Sequence, residues 1–147
     1  MTETTFAYEP KLGANPWLAR EEEFPSIGPA ASKLRFLLQY AVLAPSSHNS
    51  QPWFFRVLGD HVDVYADRTR ALPVVDPDDR GLVTSCGSAI EFLRVALRHF
   101  GYRDKTELLP DPKDSDFLAR VEMDGVYRTT DADRRLFRAI LGRRTNR

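Results

Sequence analysis

Apolar residues along this chain change their spacing several times, and each change predicts an element. After Pro29, the positions Leu34, Leu37, Leu38, Ala41 and Val42 recur at helical intervals until Pro45 ends the run. Phe36, Tyr40 and Leu43 make this helix, spanning about 30–44, apolar on more than one side. Such a helix is buried on two faces, in a large core or at an interface between copies. The period then shortens to two. Trp53 to Leu58 and Val62 to Ala66 are rich in aromatic and β-branched residues and flank Gly59-Asp60, which predicts a β-hairpin. On its second strand Val62, Val64 and Ala66 share one face, and His61, Asp63, Tyr65 and Asp67 share the other. That polar alternation reads as a solvated sheet face rather than a metal site.

Helical spacing returns at Pro77 and runs to about Phe100, with Asp76 as the expected cap and Gly101 as the stop. Ala89, Ile90, Leu93, Ala96, Leu97 and Phe100 form its apolar stripe, and Gly81 and Gly87 allow a neighbour to come close. Arg94, Arg98, His99 and Arg103 form a basic side, read as a solvated face with cations near the helix C-terminus. Thr106 to Leu109 and Phe117 to Met123 predict two more strands around the loop Pro110 to Asp114. Thr130 and Asp133 have the spacing of a capping box and open a helix through Leu136, Phe137, Ile140 and Leu141. Residues 1–29, rich in proline and glycine, predict an irregular arm with one short helix near Trp17 to Glu23, anchored by Phe6, Tyr8 and Trp17.

Composition narrows the function classes. The 147 residues, 42% hydrophobic and 29% charged, suit one globular domain, and no apolar run approaches the roughly 20 residues of a membrane span. Lys plus Arg equals Asp plus Glu at 21 each, so no overall field draws the chain to nucleic acid or to an anionic membrane. The lone Cys86 forms no internal disulfide and reads as a small buried residue. With no secretory pattern, the expected location is cytoplasmic.

Two segments carry the candidate chemistry. The first is Ala44-Pro45-Ser46-Ser47-His48-Asn49-Ser50-Gln51-Pro52-Trp53, a loop stiffened by two prolines and rich in short hydrogen-bonding side chains. These residues suit the edge of a flat, heteroatom-rich ligand, or they are turn formers that bond their own backbone. His48 reads as a loop histidine bonding locally. The second segment is Arg143-Arg144-Thr145-Asn146-Arg147, whose guanidinium forks suit phosphate oxygens, or which forms a solvated basic tail.

The first segment, Pro45-Ser46-Ser47-x-Asn49-x-Gln51-Pro52-Trp53-x-Phe55, resembles the signature of the nitroreductase-like FMN oxidoreductases. The second resembles the arginine cluster that opens their fold. Here that cluster follows the loop instead of preceding it, an order similar to the internally duplicated, Acg-like branch, in which two repeats are fused and mimic a dimer. The Asp67 to Arg80 and Ser85-Cys86-Gly87 stretches look like the same branch.

The resemblance implies an α+β fold, with an antiparallel-containing sheet flanked by helices, forming half of a dimer-like two-repeat unit. It divides the chain into an arm (1–29), a first repeat (30–142) and the start of a second (143–147), so that the sequence reads as truncated. It implies that Pro45, Ser46, Ser47 and Asn49 line the ring edge of FMN and that Arg143, Arg144, Thr145 and Arg147 hold its phosphate and ribityl chain. NAD(P)H is the implied electron donor and a nitroaromatic, quinone or similar small molecule the acceptor. The partner is a second repeat or a second copy in a homodimer, whose absence would leave the apolar faces of the helices at 30–44 and 77–100 partly exposed. No side-chain acid or base, metal, membrane or nucleic acid is implied. Two other readings fit the same residues: a degenerate protein that sequesters FMN without reductase activity, and a nucleic-acid module built on the terminal arginines and Trp53.

Overall fold

A computed structural model describes residues 15–145. In chain order the main elements are helix α1 (Ala30–Ala41), strands β1 (Trp53–Leu58) and β2 (His61–Ala66), helix α2 (Arg80–His99), strands β3 (Tyr102–Leu108) and β4 (Phe117–Val126), and helix α3 (Asp131–Gly142). The fold is α+β, with one four-stranded sheet in the order β1-β2-β4-β3, every neighbouring pair antiparallel. Leu58 pairs with His61 across the hairpin, where Gly59 adopts the positive φ of 58° that a two-residue connection needs.

One face of the sheet carries Phe55, Val57, Val62, Val64, Ala119 and Val121, all buried beneath α1 and α2. Leu34, Leu37, Leu38, Tyr40 and Ala41 of α1 are each 0% exposed. The helix read as buried on two faces is therefore enclosed by this chain's own core, and of the two helices expected to be partly exposed it is α2 that carries an exposed apolar residue. Val83 on α2 and Leu136 on α3 are 45% and 51% exposed. Phe137 of α3 completes the core, stacked 3.8 Å from His99 and edge-on to Tyr40 at 4.7 Å.

The opposite sheet face departs from the simple solvated surface expected of it. Asp63 is only 2% exposed because Arg120, beside it on β4, donates to its two oxygens from Nε and Nη2 at 2.7 and 2.9 Å. Tyr65 stacks on Phe117 at 4.7 Å, and the Arg56 guanidinium lies over the same Tyr65 ring at 5.2 Å. Long side chains on the same sheet thus cover the face themselves. Asp63 acts as an ion-pair partner, and among the described residues no group of three His, Cys, Asp or Glu is placed to hold a metal.

Element limits differ in instructive ways. β3 starts at Tyr102, four residues before the expected strand, because Arg103, Asp104 and Lys105 hide an edge strand behind charge. α2 starts at Arg80 instead of Pro77, since residues 77–79 form a turn that ends with Asp79 in the left-handed region. The short helix expected near Trp17 divides into two 3-10 turns, Pro16–Leu18 and Glu21–Glu23. On the basic side of α2, Arg94 and Arg98 form ion pairs with Asp104 and Glu91, and the His99 ring lies at hydrogen-bond distance from Glu21, 2.8 Å. Phe6, Tyr8 and Arg147 lie outside the described residues. Among the described residues no helix is long and apolar enough to cross a membrane.

Candidate functional site

The Pro45–Pro52 loop leaves the end of α1 and enters β1 through a turn built mostly from its own polar groups. The amides of Asn49 and Ser50 donate to the carbonyls of Ser46 and Ser47, each at 3.0 Å. The Gln51 amide donates to Ser46 Oγ at 3.0 Å, and the Gln51 side chain donates to Asn49 Oδ1 at 3.3 Å. This is the pattern of turn formers bonding their own backbone. Its cost is visible in the dihedrals: His48, Asn49 and Gln51 have φ of 51°, 55° and 50°. The left-handed region costs an ordinary side chain roughly 1–2 kcal/mol, so His48 and Gln51 hold the turn in a shape it would not adopt alone. Strain of this kind concentrates where a fixed geometry matters.

Helix α2 supplies the restraint. The Ser47 amide donates to Ser85 Oγ at 3.2 Å, and Ser85 Oγ donates in turn to the Gly81 carbonyl at 2.7 Å. At Gly81 an added Cβ would stand 2.7 Å from Ser47 Oγ and 3.0 Å from Asp76 Oδ2, so glycine lets both the loop hydroxyl and the capping carboxylate come close. The amides of Gly81 and Leu82 donate to the two carboxylate oxygens of Asp76 at 3.0 and 2.9 Å. These bonds, the Gly81 amide foremost, hold the Asp76 carboxyl below its ordinary range. The predicted cap residue therefore caps, reaching past the turn at 77–79.

Between loop and helix lies an open groove of about 520 Å³, lined by Pro45, Ser46 and Ser47 on one side and by Arg80, Gly81, Thr84, Ser85 and Ser88 on the other. That volume is in the range of small-molecule sites, roughly 300–1,000 Å³. The helix wall was not among the residues singled out as a site from sequence. Its signal is nonetheless present: Arg80, Thr84 and Ser88 recur at four-residue intervals, as do Gly81 and Ser85, giving one polar stripe on a helix whose other side is apolar. Cys86, next to that stripe, is 0% exposed. Its thiol donates to the Pro52 carbonyl at 3.2 Å, and burial pushes its pKa up to about 12, so it anchors the loop and is no nucleophile. Asn49 is exposed and stands outside the groove lining.

The arginine segment reaches the same end of the molecule by a different route. Arg143 donates to the carbonyl of Leu43, two residues before Pro45, at 2.9 Å, and to Thr145 Oγ1 at 2.8 Å. Its side chain lines a separate recess of about 310 Å³ between α2 and α3, together with Phe92, Val95, Leu136 and Ile140. Arg144 donates to the carbonyls of Leu141 and Arg143, and its guanidinium lies 5.2 Å from the Trp17 ring. The structure thus brings Pro45, Ser46 and Ser47 together with Arg80, places Arg143 at the foot of the loop, and turns Arg144 and Thr145 toward neighbouring backbone and side chains.

No protein-family model matches the chain. Individual relatives do. It is 40% identical over 119 residues to "Putative NAD(P)H nitroreductase Rv3131" of Mycobacterium tuberculosis, a match covering 81% of this chain and 34% of that protein. It is 35% identical over 115 residues to "Putative NAD(P)H nitroreductase acg" of the same species, covering 78% and 34%. With "Probable NAD(P)H nitroreductase PigM" of a Serratia species the identity is 39% over 71 residues, covering 47% and 20%. The chain spans about a third of the length of the mycobacterial relatives it matches. The signature loop, the α+β fold and these relatives agree: over about four fifths of its length this chain is similar to one part of longer proteins named as NAD(P)H nitroreductases.

Proposed function

We propose that this chain supplies one wall of the flavin site in an FMN-dependent NAD(P)H oxidoreductase of the nitroreductase type. The observation that carries the reading is the strained Ser46–Gln51 turn, fastened to α2 so that serine hydroxyls face a groove of about 520 Å³. The donor set fits the heteroatom edge of a flavin ring. Ser46 and Ser47 bring hydroxyls, Arg80 a fork of N–H donors, and Thr84 and Ser88 further hydroxyls that serve as donor or acceptor. The amides of Ser47, Asn49, Ser50 and Gln51 are committed within the protein, so recognition falls to side chains. When bound, the flavin supplies hydride transfer from NAD(P)H and electron delivery to a nitroaromatic, quinone or similar acceptor, while the chain orients it and limits competing reactions.

The phosphate end of this site is a separate matter. Arg143 and Arg144 are engaged with carbonyls and do not line the groove. We therefore place the completion of the clamp with a second repeat or a second copy, consistent with relatives about three times as long as the matched stretch. On this reading the chain is half of a dimer-like unit.

The test is an FMN titration of the protein followed by addition of reduced nicotinamide. Saturable binding with a shifted visible flavin band, then bleaching, supports the reductase. Binding without bleaching assigns the protein to flavin storage. Absence of any flavin binding overturns the reading.

A further inference from the structure

We infer that Ser85 is a positioning residue for this groove: it decides that Ser47 presents a hydroxyl, and not its backbone N–H, to whatever the groove holds. The inference deepens the flavin reading and rests on it for the identity of the ligand, while the geometry behind it belongs to the chain alone. Ser85 lies in the second turn of α2 and is 4% exposed. A serine hydroxyl has one proton to give and two lone pairs. Here the proton goes to the Gly81 carbonyl at 2.7 Å, one helical turn back, so a lone pair is left to receive the Ser47 amide at 3.2 Å. The order of donation is fixed in one direction, from Ser47 N–H to Ser85 to the helix backbone.

Two features show that this contact is matched to its surroundings. The turn it holds includes His48 and Asn49 at φ of 51° and 55°, and the bonds of that turn to itself are local. A tie to α2, 38 positions away in sequence, keeps it from relaxing. The second feature is Gly81, which gives up its carbonyl to Ser85 and, having no side chain, leaves the space Ser47 Oγ occupies. The glycine and the serine work as a pair one turn apart: the serine fixes the Ser47 backbone, and the glycine leaves its hydroxyl free to face the groove. Replacement at either position disturbs a different half of Ser47.

That difference is the test, made in the intact protein with FMN as probe. In Ser85→Ala the Ser47 amide loses its acceptor. Its hydrogen exchange accelerates and FMN affinity falls, each by roughly 5- to 30-fold, the range expected for losing one hydrogen bond to a partly buried amide. Ser85→Thr restores both, because a helical threonine oxygen makes the same bond one turn back. Gly81→Ala gives the complementary result: the Ser47 amide stays protected while FMN affinity falls, and alanine's helix preference is offset because the added Cβ also stands 3.0 Å from the Asp76 carboxylate that caps α2. Unchanged exchange at Ser47 in Ser85→Ala overturns the inference, as does unchanged FMN affinity in both variants. If the unaltered protein binds no FMN, the flavin reading fails separately, and the exchange measurement still decides whether Ser85 holds the turn.

Discussion

The loop at 45–52 and the segment at 143–145 lie close together, yet they are fixed by different means. The loop is held by short side chains. Ser46 Oγ and Ser85 Oγ take amides at 3.0 and 3.2 Å, and a serine oxygen stands where its backbone puts it. The arginines are long, and their destination depends on the acceptors within reach. In this structure those acceptors are helix C-termini: Arg143 donates to Leu43 just beyond α1, and Arg144 to Leu141 in the last turn of α3. Carbonyls at a helix end lack intrahelical partners and carry the negative end of the dipole, so guanidiniums settle on them. A phosphate competes with the same carbonyls for the same cations. The lesson is that the groove wall is formed by the fold alone, and the basic segment is held by carbonyls that, on the proposed function, a phosphate would displace.

Variants separate the two regions. The largest effect is expected for Phe137→Ala, which empties the 0% exposed position that α3 sets against His99 and Tyr40. A loss of about 3–5 kcal/mol in chemical denaturation follows from such truncations. A loss below about 1 kcal/mol would mean that α3, and with it the arginine segment, is not docked as described. Next comes Thr130→Ala. Thr130 Oγ1 accepts the Asp133 amide at 3.2 Å and donates to Asp133 Oδ2 at 2.6 Å, so its removal costs about 1 kcal/mol of stability by the same measurement. Loop exchange at 46–51 should stay unchanged in this variant, which sharpens the contrast between the regions.

Acid gives a smaller effect. Burial pushes the Asp133 carboxyl up, but bonds from the Thr130 side chain and amide and from Tyr127 outweigh it and hold it below 3.8. Asp76 is likewise held below 3.8 by the helix amides. Groups with depressed values stabilise the fold above their ordinary value and lose that contribution as pH falls through the folded one. Stability should therefore decline below about pH 4, and Asp133→Asn should flatten the decline when unfolding is followed against pH. The smallest effect is expected for Arg144→Ala, where loss of the contact with the exposed Trp17 ring costs about 0.5 kcal/mol. A larger cost would show that Arg144 is structural and poorly suited to yield to phosphate.

Much of the frame was legible before any coordinates. The helix from Pro29, the hairpin at Gly59 and the Thr130–Asp133 box each rest on local periodicity or local hydrogen bonding, and each appears within a few residues of its expected place. β3 was half hidden because an edge strand of alternating charges carries little apolar signal. Burial of Asp63 was illegible for a different reason. Strand alternation placed it on the outer face correctly, but the cover comes from Arg120, 57 positions away, through a strand pairing that sequence alone does not reveal. The groove shows the same division. Its loop side was readable as a motif, while Arg80, Thr84 and Ser88 went unremarked as a site, because helical spacing alone does not say which loop folds against that face.

The most direct test of the account is residue-resolved hydrogen exchange on the protein with and without FMN. The account predicts slower exchange at residues 45–51 and in the first two turns of α2, which line the groove, with little change on the sheet face around Asp63. Flavin that binds without protecting those two stretches, or that protects the recess at Phe92, Leu136 and Ile140 in their place, would contradict it.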